Sequence, residues 1–309
     1  MTSMFKVFLV TTSLLVPAAT SAQEFSGGVT LGFSQSDIDA IPFDVDGISF
    51  DGRIAVELGS GFTFGARFNQ FNMDVDSTPV SVDGQMIGLD LDYAFSANGS
   101  VGAFVENAEV GLDIGVPIGL NVSATTFGIE GHYTSGALDF GGFIAVSEPG
   151  GLLPSDIDMR HFGLSLKYAP TEALTIGASA IRTNVDAFGT DIDVDYIGLA
   201  GVYSVNERIS LFGGVSRTTL DIVDADVTTV GLGGAYDLSA MAGMPMAVSL
   251  ELARSDFSAG GVGSTDVDTV RLGLTIPLGG KAAKAPLNST ADAILNPSHS
   301  AISQTVLNF

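Results

Sequence analysis

Five times along this chain a glycine is followed, five residues later, by a tyrosine. The copies are MIGLDLDY (Gly88, Tyr93), TFGIEGHY (Gly128, Tyr133), FGLSLKY (Gly163, Tyr168), IGLAGVY (Gly198, Tyr203) and VGLGGAY (Gly231, Tyr236). An odd separation puts the two residues on opposite faces of an extended strand, because side chains alternate along it. One face of the first copy reads Ile87, Leu89, Leu91, Tyr93, and the other Met86, Gly88, Asp90, Asp92. In the third copy Phe162, Leu164, Leu166 and Tyr168 oppose His161, Gly163, Ser165 and Lys167. Such strands make a sheet with one face suited to hydrocarbon and one suited to water.

The copies recur at intervals of 33 to 40 residues, enough for a strand, a turn, a returning strand and a loop. Propellers and solenoids also repeat at this period. The tyrosines separate the cases, since each one ends its apolar row beside a short turn, as an aromatic girdle at a membrane interface would. The expected girdle is Tyr93, Tyr133, Tyr168, Tyr203 and Tyr236.

Residues 1–22 read as a cleaved secretory signal peptide, with Lys6, an apolar run from Val7 to about Pro17, and Thr20-Ser21-Ala22 before Gln23. No later stretch offers the 18 or more apolar residues of a helical span. An exported chain that then enters a bilayer must close its sheet into a barrel, because unpaired backbone groups are costly in lipid. The chain has no Cys, so ladder hydrogen bonds and packing must hold it. Its 39 Gly lack collagen periodicity and suit strands whose inner face is kept small. A formal charge of -23 argues against nucleic acid as a partner, since phosphates would be repelled.

Alternation predicts about fourteen antiparallel strands over residues 23–278, with 12 or 16 as alternatives, near 25–35, 47–58, 62–73, 85–96, 100–109, 121–134, 137–148, 157–168, 174–184, 192–203, 209–219, 226–236, 246–256 and 265–277. The turns after the tyrosines read as short, Asn98-Gly99 and Ser135-Gly136 among them. Taking Ser135-Gly136 as a two-residue turn places His132 opposite Asp139. The other connections read as long and acidic, for example SDIDAIPFDVDG and NVDAFGTDIDVD, and should face outward. Residues 279–309 lose the alternation and read as a periplasmic C-terminal tail, with a further strand over Ala301–Phe309 as the alternative. The tail's Lys281 and Lys284 suit partial entry into an acidic lumen.

Together the signal peptide, the alternating strands, the tyrosine row and the terminal Phe309 resemble the outer-membrane β-barrel proteins of Gram-negative bacteria, and among them the porins. The resemblance covers residues 23–278. It implies an outer-membrane location and passive diffusion of small hydrophilic solutes and ions, often through a trimer. The expected partners are therefore outer-membrane lipid, small solutes and ions, and copies of the same chain. General porins fold a long third loop into the pore, whereas the corresponding stretch here, Val110–Leu120, is short and apolar.

No catalytic residue, metal ligand or cofactor is expected. The pairs Asp37/Asp39, Asp44/Asp46, Asp74/Asp76, Asp193/Asp195 and Asp266/Asp268 lack EF-hand spacing and read as a solvated acidic rim. His132 and His161 fall on the lumen face, and His299 in the tail, without a nucleophile motif. The expected pore-lining residues are Arg53, Arg67, Asp90, Asp92, Glu130, His132, Asp139, Lys167 and Arg271. A hairpin closed at Gly59-Ser60-Gly61 sets Arg53 opposite Arg67, which is unfavourable unless something neutralises the pair. Barrel closure suggests that Arg271 joins them in one basic patch facing the acids. The reading is a weakly cation-preferring diffusion channel. Its alternative is a non-conducting surface barrel, structural or adhesive, whose acidic loops bind cations.

Overall fold

The computed structural model describes residues 25–39, 43–115, 119–154, 156–221, 224–260, 263–279 and 284–306. The candidate signal peptide, Lys281 and Phe309 lie outside the described residues. Fourteen strands form the wall: β1 (Phe25–Ile38), β2 (Asp44–Gly59), β3 (Phe62–Val75), β4 (Val80–Ala94), β5 (Gly99–Ile114), β6 (Leu120–Ser135), β7 (Leu138–Gly151), β8 (Ile157–Thr171), β9 (Leu174–Ala187), β10 (Thr190–Ser204), β11 (Ile209–Leu220), β12 (Ala225–Asp237), β13 (Ala247–Ala259) and β14 (Gly263–Leu278). Each pairs antiparallel with the next, and β14 pairs with β1, so the sheet is a closed barrel with no free edge. Three short helices accompany it: α1 (Ser239–Ala242), between β12 and β13, and α2 (Thr290–Leu295) and α3 (Ala301–Val306), beyond the barrel sequence.

Alternation determines which way each strand faces. Ile87, Leu89, Leu91, Leu164, Leu199, Leu232, Leu250 and Leu272 are exposed on the outside, while Thr30, Asp51, Glu106, Thr183, Thr229 and Glu251 are buried inside. This inverts the polarity of a water-soluble protein and matches a wall with lipid outside and polar groups within. The five girdle tyrosines all point outward at one end, 38 to 55% exposed. Phe62 packs on Tyr93 with ring centroids 4.9 Å apart.

The far end differs from the sequence expectation. The acidic stretches are continuations of the ladder rather than long loops: β9 and β10 are joined by Phe188-Gly189 alone, and Asp186 pairs with Asp191. Asp-x-Asp alternates as well as Leu-x-Leu does, so pairing continues after the apolar band stops. The longest connection, residues 238–246 with α1, is at the tyrosine end. Loop length therefore does not tell the two ends apart; the outward acidic collar and the tyrosine ring do.

The β6–β7 hairpin also needs correction. Ser135 pairs with Leu138 and His132 with Gly141, so the turn is Gly136-Ala137. Gly136 has φ +61°, and a type II′ turn takes glycine at its first central position rather than its second. The shift is two residues, so every side chain keeps its face. Arg53 does stand opposite Arg67.

Candidate functional site

The barrel interior is occupied by its own C-terminal segment. Residues 287–306 cross the lumen and bond to wall residues on almost every side. The Leu287 N–H donates to Thr30 Oγ1 at 3.0 Å and Asn288 Nδ2 to Ser49 Oγ at 3.2 Å. Ser289 caps α2 by accepting from the Asp292 N–H, the favoured role of Ser ahead of a helix. The Thr290 N–H donates to Glu251 Oε1 at 3.1 Å. Past α2, the Ala301 N–H donates to Thr183 Oγ1 at 3.0 Å, and Gln304 Nε2 to Tyr196 Oη at 3.3 Å. Ala291, Ile294, Leu295 and Ala301 join Ile181, Val194, Tyr196, Ala200, Val202, Phe212 and Ala235 in an apolar cluster on the β9–β12 side.

Two of the five repeat glycines make this fit possible. A Cβ on Gly198 would lie 2.8 Å from Ile294 Cγ1, and one on Gly231 would lie 2.5 Å from Thr290 Oγ1. Outside the repeat, Gly214 and Gly177 leave room in the same way for Ile294 and Leu295.

Eight of the nine expected pore-lining residues surround one cavity of about 190 Å³ beneath this segment: Arg53, Arg67, Asp90, Asp92, Glu130, His132, Asp139 and Lys167. The segment supplies partners for the cations. Arg53 Nη2 lies 2.8 Å from Asp292 Oδ2, Arg67 donates to the Pro297 carbonyl at 2.9 Å, and Lys167 Nζ donates to Asn296 Oδ1 at 2.9 Å. The facing guanidiniums of Arg53 and Arg67 are thus accommodated by residues about 230 to 240 positions later in the chain.

Arg271 is the exception. It stands opposite Ser34 of β1, whereas Arg53 stands opposite Gly28, so six residues of β1, about 20 Å of strand, separate the two rungs. Arg271 Nη1 pairs instead with buried Glu251 at 3.0 Å. The single basic patch is therefore not formed, because adjacency of strands says nothing about height until the register is known.

Facing the cations, one oxygen each of Asp90, Asp92 and Glu130 lie within 4.8 Å of one another. His132 Nε2 is 3.5 Å from Glu130 and its Nδ1 is 3.9 Å from Asp139, so the His132–Asp139 contact survives the register change as a diagonal one. His299 enters from the segment. Its Nδ1 is 3.2 Å from Glu106, its Nε2 is 3.5 Å from Glu130, and its ring stacks on Phe104 at 3.5 Å with Phe143 edge-on. Burial pushes the His299 pKa down, but the two carboxylates outweigh it, and the net shift is upward.

Sequence reasoning did not single out Glu106, Glu251, Asp292 or Asn296. Glu106 and Glu251 lie on the inward parity and alternation could have found them. The other two lie in a segment with no period to read. His161 shares a 2.6 Å hydrogen bond with Ser147 Oγ, but its other nitrogen meets Thr183 Oγ1 rather than a carboxylate. That chain of bonds ends on the Ala301 N–H.

The comparisons agree with this architecture. A Pseudomonas aeruginosa FadL homologue is 12% identical with a TM-score of 0.55, covering 82% of this chain and 90% of its own. The fold is that of the outer-membrane channel barrels. An anion-selective porin from Comamonas acidovorans (13% identity, TM-score 0.53, 83% and 99% covered) shares it. So does the TodX monoaromatic hydrocarbon channel in a deletion mutant (11%, 0.56, 84% and 91%). No protein-family model matches the sequence, and no curated protein matches it.

Proposed function

We propose that the protein is an outer-membrane channel that rests closed, with residues 284–306 as its plug, and that conducts small solutes and ions when the plug leaves. The observation that carries this reading is the division of contacts: the wall is complete without the segment, while the segment is held by polar contacts to strands on nearly every side of the wall. On this reading Arg53, Arg67, Asp90, Asp92, Glu130, His132, Asp139, Lys167 and Arg271 line the opened path. Acids and bases balance along that path, so a weak cation preference at low salt comes from the acidic collar at its mouth, in a chain of formal charge -23.

The test is planar-bilayer recording of the full chain against a chain ending at residue 278. Rare, brief openings in the first and steady conductance in the second are expected. Silence in both, from barrels shown to be folded, would favour the non-conducting surface barrel.

One observation favours apolar over hydrophilic solutes. Phe71, Met86, Met159, Ile302 and Val306 line a chamber of about 100 Å³ between the wall and α3. Apolar cavities of about 150 Å³ take up benzene. Binding of a monoaromatic compound by the full chain, lost in Met86→Gln, would support this second reading, and equal binding by the chain ending at residue 278 would overturn it.

A further inference from the structure

Among the described residues, the outward-facing cations on the strands are four arginines: Arg160 on β8, Arg182 on β9, Arg217 on β11 and Arg254 on β13. All stand where the apolar band gives way to the acidic collar, and all lie in one arc of the wall. Two of them, Arg182 and Arg217, line a groove on the outer surface, and Arg160 stands beside it. Its sides are Phe162 and Leu164 on β8 and Ile197 on β10, its floor is the small side chain of Ala180, and Arg182 and Arg217 close its collar end. Arg160 is two residues above Phe162 on the same face.

The three guanidiniums are unequally engaged. Arg182 donates twice to Asp195 and its Nη1 lies 3.8 Å from Asp193, beyond hydrogen-bond distance, so N–H groups remain to donate. Arg217 makes one exposed contact with Asp226 at 3.3 Å. Arg160 has no ion pair among the described residues. Arg182 and Arg217 lie two strands apart, about 10 Å, which two long side chains can span onto one anion. Guanidinium is the side chain best matched to phosphate, and an apolar groove below it matches an acyl chain.

We propose that this groove binds a phosphate-bearing, acylated lipid of the outer leaflet. One chain lies over Ala180 between Phe162 and Ile197, and the phosphate rests on Arg217 and the remaining N–H groups of Arg182, with Arg160 at the groove's edge beside the rest of the headgroup. The opposite arc of the wall, β1 to β6, presents no outward cation among the described residues, so the site is one-sided. The inference rests on the membrane placement above, with the collar toward the outer leaflet, and is independent of conduction.

The test is native mass spectrometry of the full-length refolded barrel in detergent with lipid A, its dephosphorylated form, and inorganic phosphate as separate additions. The wild type should retain lipid A. Arg160→Gln/Arg217→Gln should weaken retention about 30-fold, from the loss of two interfacial cations. Ala180→Phe, which fills the groove without touching a charge, should also reduce it. Circular dichroism confirms that each variant folds. Equal retention of the dephosphorylated lipid would overturn the phosphate contact. Competition by millimolar phosphate alone would overturn the lipid assignment. A dimer of the chain that excludes lipid would give the face to a second copy and overturn the proposal.

Discussion

Replacing Asp292 by Asn should loosen the plug without disturbing the barrel. The carboxylate is 11% exposed and Arg53 30%, and their contact is 2.8 Å. Exposed pairs contribute at most about 1 kcal/mol and fully buried ones lose about 3–5 kcal/mol when one partner goes, so this half-enclosed pair should lose about 2 kcal/mol. The change also leaves Arg53 facing Arg67 without its own carboxylate partner. At about 1.4 kcal/mol per factor of ten, the ratio of docked to undocked plug falls about 30-fold. Single-channel recording reads this ratio directly as closed against open time. Arg53→Gln alone and the double variant complete a cycle that isolates the pair. The effect should shrink in 1 M salt, where the screening length is about 3 Å. An open fraction unchanged by Asp292→Asn, with a coupling energy under about 0.5 kcal/mol in the cycle, would refute the argument.

The raised His299 pKa makes docking depend on pH. Its contribution is fully present below the solvated value of about 6.5 and is lost as pH rises through the higher docked value, so open probability should climb on the alkaline side of that window. His299→Gln should flatten the climb, and an unchanged profile in that variant would exclude His299 as its source. Gly198→Val should leave the far-ultraviolet circular dichroism of the barrel intact while holding the channel open, because its side chain would occupy the space of Ile294. Protease protection of residues 284–306 equal to that of the wild type would count against this. A cysteine at Phe188, 78% exposed at the collar end, should be labelled by an impermeant reagent in intact cells, and one at Asn206 should not. The opposite pattern would invert the orientation.

All fourteen strands were legible, because a wall between lipid and a polar interior forces a period of two on every segment. The same rule hid where the strands stop, since Asp191, Asp193 and Asp195 keep that period with charges in place of leucines. Arg53 opposite Arg67 could be read from one hairpin. The place of Arg271 could not, because it depends on the register across the seam between β1 and β14. The plug was legible only as a break in pattern. Ile294 meets glycines of β10 and β11, Asp292 an arginine of β2, and His299 carboxylates of β5 and β6. A segment whose successive residues answer to different strands has no period of its own, and the lysines expected to draw it into an acidic lumen do not mark it, since Lys284 meets the Glu172 carbonyl in the β8–β9 turn.

The inward glycines divide the chain's information in an unusual way. A packed soluble protein writes the shape of its interior into the same residues that form its strands. Here Gly198, Gly214 and Gly231 leave the wall bare, and the bulk is supplied by Thr290 and Ile294 of a separate short segment. Bore and filling are therefore specified in different places. Substitutions between 284 and 306 can reshape what the lumen admits while every rung of the barrel stays as it is, so an engineer could treat the segment as an exchangeable cartridge in a constant housing.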